Sequence, residues 1–339
     1  MIRRRNIFII SIVAIGTGIG AFCNHLLEAK AANAGAAVAP YFPPGSIWTQ
    51  DISHAPLDPD SDTIIATLTE EGGWGRGRMQ VDFSMRVLHA DAHTRSVRFR
   101  FAQASHGADA DVVSSVPLPD RGGIEGQPGY ECPGLENDCH LIVVDRDHGK
   151  LYESFHANYS KGTLTGIGMV MWDLNRVYPP SGRGDQCSSA DAAGFPIAPL
   201  LFNADELAAG SINHAIRFVV PNPRIRANVF VHPATHAGGP RGLATAPAMG
   251  AHFRLRSSYD LSQLTPAARV VARAMQKYGM FLSDSGNIAL TAQSDQDTAA
   301  KYADVGFGPH DLQALQVDDF EVVDGGKPIP LTYACVRNP

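Results

Sequence analysis

Met79, Val81, Phe83, Met85 and Val87 alternate with Gln80, Asp82, Ser84 and Arg86, and Val97, Phe99 and Phe101 alternate with Ser96, Arg98 and Arg100. A period of two over this length predicts half-buried antiparallel strands. The connection Ala90-Asp91-Ala92-His93-Thr94 predicts that they form a hairpin. Strand character begins at Thr63, and further strands are predicted over Leu141–Asp145, Leu151–Phe155, Ile167–Leu174, His214–Val220, Asn228–His232, His252–Arg256, Ile288–Ala292 and Phe320–Val323. Short strands separated by Gly, Pro, Asn and Asp clusters fit a mainly β fold, an antiparallel β-sandwich or jelly-roll-like single domain. One packed helix is expected over 266–278: Thr265 caps it, Pro266 fits its first turn and Gly279 stops it. Its apolar stripe of Val270, Val271, Ala274, Met275 and Tyr278 needs a core to face, and a sheet is the simplest partner.

The N-terminal segment changes the picture. Arg3, Arg4 and Arg5 precede an apolar run from Ile7 to Phe22, and Ala29-Lys30-Ala31 follows with a small-residue cleavage pattern. This combination reads as a signal peptide over residues 1–31 and predicts a secreted or periplasmic, that is extracytoplasmic, location. A retained anchor is the competing reading, against the ~17–25 apolar residues that a spanning helix needs; Ser11, Thr17 and the glycines interrupt the run. Lipid attachment at Cys23 would want Gly or Ala where Phe22 stands. No membrane span is expected after cleavage. Residues 32–60, with Pro40, Pro43, Pro44, Pro56 and Pro59, read as an Ala/Pro-rich lead-in, and 61–339 as a single β-rich domain.

Charge and cysteines narrow the function classes. The chain has 28 Lys+Arg against 34 Asp+Glu, a net charge of −6, and no basic run beyond its first residues. Nucleic acid is therefore not an expected partner, because its binding rests on cationic contacts to phosphate. Without Cys23, four cysteines remain, Cys132, Cys139, Cys187 and Cys335. An even number in an exported chain points to disulfides. Of three possible pairings, Cys132–Cys139 with Cys187–Cys335 is favoured; by chain entropy the first would contribute ~2.5 kcal/mol and the second up to ~5 kcal/mol. There is no pair spaced C-x₂₋₄-C for zinc. Asp58, Asp60 and Asp62 lack the ligand pattern of a calcium loop. No metal or cofactor is expected.

Candidate chemistry sits at the strand ends. Asp145 closes one predicted strand and Glu153 lies on the next, so two carboxylates across a turn can divide acid and base work on a glycosidic bond if their environments separate their pKa values. Asp191 occupies a small-residue loop after Cys187, and His214 shares parity with Ile216, Phe218 and Val220 at a strand start, where a histidine can act as a base. These four are the catalytic candidates. His236, Arg254, Trp172 and Asp173 are the substrate-binding candidates: an arginine grips an acidic group in a bidentate contact, and an aromatic beside a carboxylate suits a sugar, whose C–H face packs on a ring. His232-Pro233-Ala234-Thr235-His236 is no helical zinc motif, because Pro233 and Gly238-Gly239-Pro240 forbid the helix. No G-x-S-x-G is present for a nucleophile-elbow hydrolase.

Several stretches resemble those of a family of exported bacterial proteins with no assigned reaction. They are Leu141 to Asp147 with Leu151-Tyr152-Glu153; Ser189 to Ile197; Ala208-Ala209-Gly210 with His214 to Phe218; Met249 to Leu255; and Tyr278-Gly279-Met280 with Ser283-Asp284. Where relatives show Trp-Pro-Ala before the histidine, this chain has His232-Pro233-Ala234. The resemblance implies a shared exported fold and a shared site. Fold-level analogy, with carboxylates, histidines and an aromatic in strand-end positions, gives a carbohydrate-active expectation: a polysaccharide or glycan hydrolase or lyase using carboxylate and histidine acid–base chemistry. The alternative is a non-catalytic glycan-binding or cell-envelope protein of the same fold.

Overall fold

The computed structural model describes residues 38, 40–102, 109–134 and 136–338; the expected signal peptide and Cys23 lie outside the described residues. Sixteen strands follow in chain order: β1 Val81–Met85, β2 Leu88–Ala90, β3 Ser96–Phe101, β4 Ser115–Pro117, β5 Leu141–Asp145, β6 Lys150–Phe155, β7 Asn158–Ser160 and β8 Thr163–Gly166. The second half holds β9 Gly168–Asp173, β10 Ile216–Val220, β11 Val229–Phe230, β12 His252–Leu255, β13 Met280–Ser285, β14 Leu290–Gln293, β15 Phe320–Val323 and β16 Ile329–Pro330. Among the described residues four α-helices accompany them, α1 Ser61–Glu70, α2 Ala204–Ala209, α3 Pro266–Lys277 and α4 Tyr302–Val305, and the fold is mainly β.

A six-stranded mixed sheet runs β1-β14-β10-β13-β12-β15, and two four-stranded sheets run β2-β5-β6-β9 and β4-β3-β8-β7, with β11-β16 as a small ribbon. Pairing is not purely antiparallel: β1–β14, β10–β13, β2–β5 and β3–β8 are parallel. The middle sheet serves two cores. Ile142, Val144, Leu151 and Trp172 face the large core beneath the six-stranded sheet, whereas Leu141, Val143 and Met169 face a second core shared with Val97, Phe99, Val116 and Leu164. A strand buried on both faces has no polar alternation, which explains the uninterrupted apolar run of β5.

The expected hairpin between residues 79–87 and 96–101 does not form. Val81 pairs with Leu290 in the six-stranded sheet, while Val97 pairs with Val116 in another. Alternation reports that one face of a strand is buried and carries no information on its neighbour, which here comes from two hundred residues away. The expected strand from Thr63 is also corrected, since Ser61–Glu70 is α1. Its Thr and Ile content favours a strand locally, but Ile65 and Leu68 pack into the large core as a helix. The lead-in segment contributes Phe42 and Trp48 to the same core.

Helix α3 follows its capping signals closely. Thr265 Oγ1 accepts the Ala268 N–H at 3.3 Å, and Ala267, Val270, Val271, Ala274 and Met275 are buried. Gly279 has φ +69°, and a Cβ there would stand 2.7 Å from the Phe253 carbonyl, so only glycine ends the helix against β12. Both favoured disulfides are present, Cys132–Cys139 with S–S 2.05 Å and Cys187–Cys335 with 2.02 Å. Among the described residues no helix is long and apolar enough to cross a membrane.

Candidate active site

The loop after Cys187 is the hub of the molecule, because five different elements hold its successive residues. Ser188 Oγ donates to Asp109 at 2.8 Å. The Ala190 carbonyl accepts from His140 Nε2 at 2.9 Å. Asp191 takes Arg217 Nη2 at 2.6 Å. The Ala192 N–H reaches Asp284 at 3.4 Å, and its carbonyl accepts His236 Nδ1 at 3.0 Å. Ala193 donates to the Ser283 carbonyl and accepts from the Thr235 N–H, at 2.8 and 2.9 Å. Phe195 then drives the loop into the core, edge-on to Trp48 and Phe281.

Local sequence explains this course. Asp191 Oδ1 accepts the Ala193 N–H at 3.1 Å, the short side-chain turn that Asp favours. Gly194 has φ +81°, and a Cβ would fall 2.1 Å from Thr235 Oγ1. On the facing strand, register shifts between Phe218 and Val219, so that Ser283 is left out of the ladder and Asp284 stands opposite Val219. Such a bulge re-aims the side chains that follow it.

The loop floors a cavity of about 880 Å³, lined among others by Asp109, Asp138, His140, Asp191, His236, Asp284 and Tyr333. Arg217 lies behind it, with Nη1 on Thr291 Oγ1 at 2.7 Å and Nη2 at 2.6 Å from Asp191 and 3.9 Å from Asp284. The Asp191 side chain is 0% exposed, and that of Asp284 is 28% exposed. Burial pushes both carboxyls up, Arg217 opposes the rise at each, and Asp284 adds to it at Asp191. Burial outweighs the arginine at Asp191 and lifts its carboxyl to about 7, and Asp284, raised as well, is the more exposed of the two.

His140 makes a second charged pair, with Nδ1 at 2.7 Å from Glu125. Burial works against its charge, yet Glu125 outweighs burial and holds the imidazole up at about 9. Burial likewise raises Glu125, and His140 overcomes it to hold the carboxyl down at about 2. Ligand atoms of Glu125, Asp138 and His140 lie within 4.8 Å of one another. They are nonetheless a poor metal set, because both His140 nitrogens point at acceptors and carry protons, whereas a metal needs a neutral imidazole. Asp109 with Cys187 and Cys335 offers no thiolate, since those cysteines are joined.

Of the residues expected from the sequence, Asp191 and His236 meet in this cavity, and the others lie elsewhere. Asp145 and Glu153 are on opposite faces of the hairpin: Asp145 pairs with Lys150 and Glu153 with Ile142, an odd offset. Asp145 accepts from His148 at 2.8 Å. Glu153 accepts the N–H groups of Ile197, Ala198 and Trp172, tying a loop to the sheet. Trp172 is 1% exposed and belongs to the core. Asp173 pairs with Lys150 at 3.1 Å and shapes its own turn through the Asn175 N–H. His214 bridges Glu206 of α2 and the Ala215 carbonyl. Arg254 pairs with Glu321 at 2.7 Å and donates to the carbonyls of Ile52 and Ala55. Each is locked by structural partners.

Sequence reasoning missed Arg217, Asp284, His140, Asp109, Asp138 and Tyr333 as site residues. A signal existed for two of them. Arg217 interrupts the apolar strand β10, and Asp284 ends the apolar start of β13; a charge inside a buried strand needs a partner of opposite sign. No protein-family model, curated protein or solved structure matches the chain.

Proposed function

We propose that this chain is an exported glycan hydrolase whose reaction centre is the cavity over the Cys187–Phe195 loop. The observation that carries the reading is the arrangement of Asp191 and Asp284 about one buried arginine, with the more exposed acid opening into a cavity that also holds His236. In this mechanism Asp284 gives its proton to the leaving glycosidic oxygen. His236, held by Nδ1 on the Ala192 carbonyl, lines the same cavity and takes a proton from the attacking water. Ala192 bridges the two through its N–H and its carbonyl, which keeps acid and base in register.

Charge favours hydrolysis over elimination. A lyase acting on uronates must neutralise the substrate carboxylate, but the described residues lining the cavity include four aspartates and no lysine or arginine. A neutral or cationic sugar fits that lining better than an acidic one. The disulfides suit an oxidising compartment, and export also rests on the signal-like N-terminal sequence. The core shared by the two four-stranded sheets supports reading that half as a sandwich.

Incubation with a panel of neutral oligosaccharides, with product analysis, tests this. Asp284→Asn is expected to lower turnover about 10²- to 10⁴-fold while substrate still binds. Wild-type turnover in the Asn variant removes Asp284 from the chemistry. Binding without product by the wild type would leave a glycan-binding protein in its place.

A further inference from the structure

The geometry points to Tyr333 as the stacking platform that holds a pyranose ring in this cavity, set in place by the Cys187–Cys335 disulfide; the inference rests on the carbohydrate reading above. The C-terminal tail runs as a strap along one wall. It starts from β16, paired with β11. The Thr332 N–H donates to Gln186 Oε1 at 2.7 Å, Arg337 Nη2 meets Asp111 at 2.5 Å, and Asn338 Nδ2 donates to the Gly182 carbonyl at 3.0 Å. Gly184 passes so close to the strap that a Cβ would lie 2.0 Å from the Val336 carbonyl. Between these anchors the disulfide fastens Cys335 beside Ser188.

Tyr333 sits within that fastened stretch, lines the cavity and is 66% exposed. Its backbone has φ +61°, a left-handed conformation that costs a non-glycine residue free energy. The ring lies edge-on to His236, with centroids 5.5 Å apart. It belongs to neither hydrophobic core, so packing offers no return for exposing a large ring in a strained conformation. A ring presented next to the proposed base instead has the placement needed to hold a sugar by its C–H face while the phenol hydroxyl stays in water.

Titration calorimetry of the full exported chain with the hexaoses of β-1,4-glucan, β-1,4-xylan, chitin, α-1,4-glucan and β-1,3-glucan tests the platform. For whichever oligosaccharide the wild type binds, Tyr333→Ala is expected to raise Kd about five- to tenfold and to raise KM with kcat retained. Tyr333→Phe and Tyr333→Trp are expected to keep wild-type affinity, because both retain a ring. Cys335→Ser is expected to show the same loss as Tyr333→Ala, with no further loss when the two are combined. Unchanged binding by Tyr333→Ala overturns the platform and leaves the carbohydrate reading standing. A loss in Tyr333→Phe equal to that in Tyr333→Ala assigns the contact to the hydroxyl and likewise overturns stacking. If no hexaose binds the wild type, the carbohydrate reading itself falls and takes this inference with it.

Discussion

His140 offers Nδ1 to Glu125 and Nε2 to the Ala190 carbonyl, and both contacts are satisfied only when both nitrogens carry protons. That charge has a pH consequence with a definite sign. The folded pKa of His140, about 9, lies above its ordinary 6.5, so its contribution to stability is complete below pH 6.5 and lost as pH rises through about 9. Glu125 is held at about 2, below its ordinary 4.5, so its contribution is present above pH 4.5 and lost as pH falls toward 2. The pair therefore stabilises fully between about pH 4.5 and 6.5. His214, raised by Glu206 against burial, adds to the alkaline limb. Glu153 and Asp191, each pushed by burial up to about 7, and Asp284, raised as well, add losses beginning near their ordinary values of 4.5, 3.8 and 3.8, so the difference between wild type and variant isolates the pair. His140→Gln is expected to flatten the decline of Tm between pH 6.5 and 9. Thermal melts across that range check it, and parallel curves for the two proteins would refute the assignment.

At the scale of elements, the site is a loop captured by its neighbours and not a set of strand ends. Ala193 links β13 to the 231–236 segment through its two backbone groups, and the bulge in β13 frees the Ser283 carbonyl for that contact. Such a loop tolerates little change in backbone direction. Gly194→Ala places a Cβ 2.1 Å from Thr235 Oγ1 and imposes φ +81° on an L-residue, which costs about 1–2 kcal/mol before the clash. It is expected to lower Tm and weaken oligosaccharide binding together. Gly239→Ala is the control, because a Cβ there meets nothing within 4 Å. Melting of the Gly194 variant with the wild type would show that the loop can shift, and the hub description would fail.

Over the whole molecule, the two disulfides differ in reach. Cys132–Cys139 spans a separation of 7 residues and Cys187–Cys335 one of 148. By chain entropy the shorter contributes about 2.5 kcal/mol and the longer up to about 5 kcal/mol. Cys335→Ser is thus expected to lower Tm more than Cys132→Ser, a ranking that calorimetry checks and an inverted order would contradict. The same contrast between short and long range separates what was legible in the chain from what was not. The strands β5, β6, β9, β10, β11, β12, β14 and β15, the caps of α3 and the disulfide partners could be read from residue order, since periodicity, capping and redox chemistry are local or combinatorially limited, whereas β7, β8 and β13 were not. Within the site, Asp191 was visible as an acid in a small-residue loop and His236 as a histidine in a strand-like segment. Tertiary structure alone decided that β1 pairs with β14 and not β3, that Ser61–Glu70 is a helix, and that Glu153, His214 and Arg254 serve as clamps. It alone brought Asp284 and Tyr333 to the cavity and Arg217 behind it. The physical reason is that alternation records only whether a side chain meets water or apolar atoms. Hydrophobic burial is non-directional, so which distant strand supplies the neighbour, and which acid meets which arginine, emerges only when the chain is closed on itself.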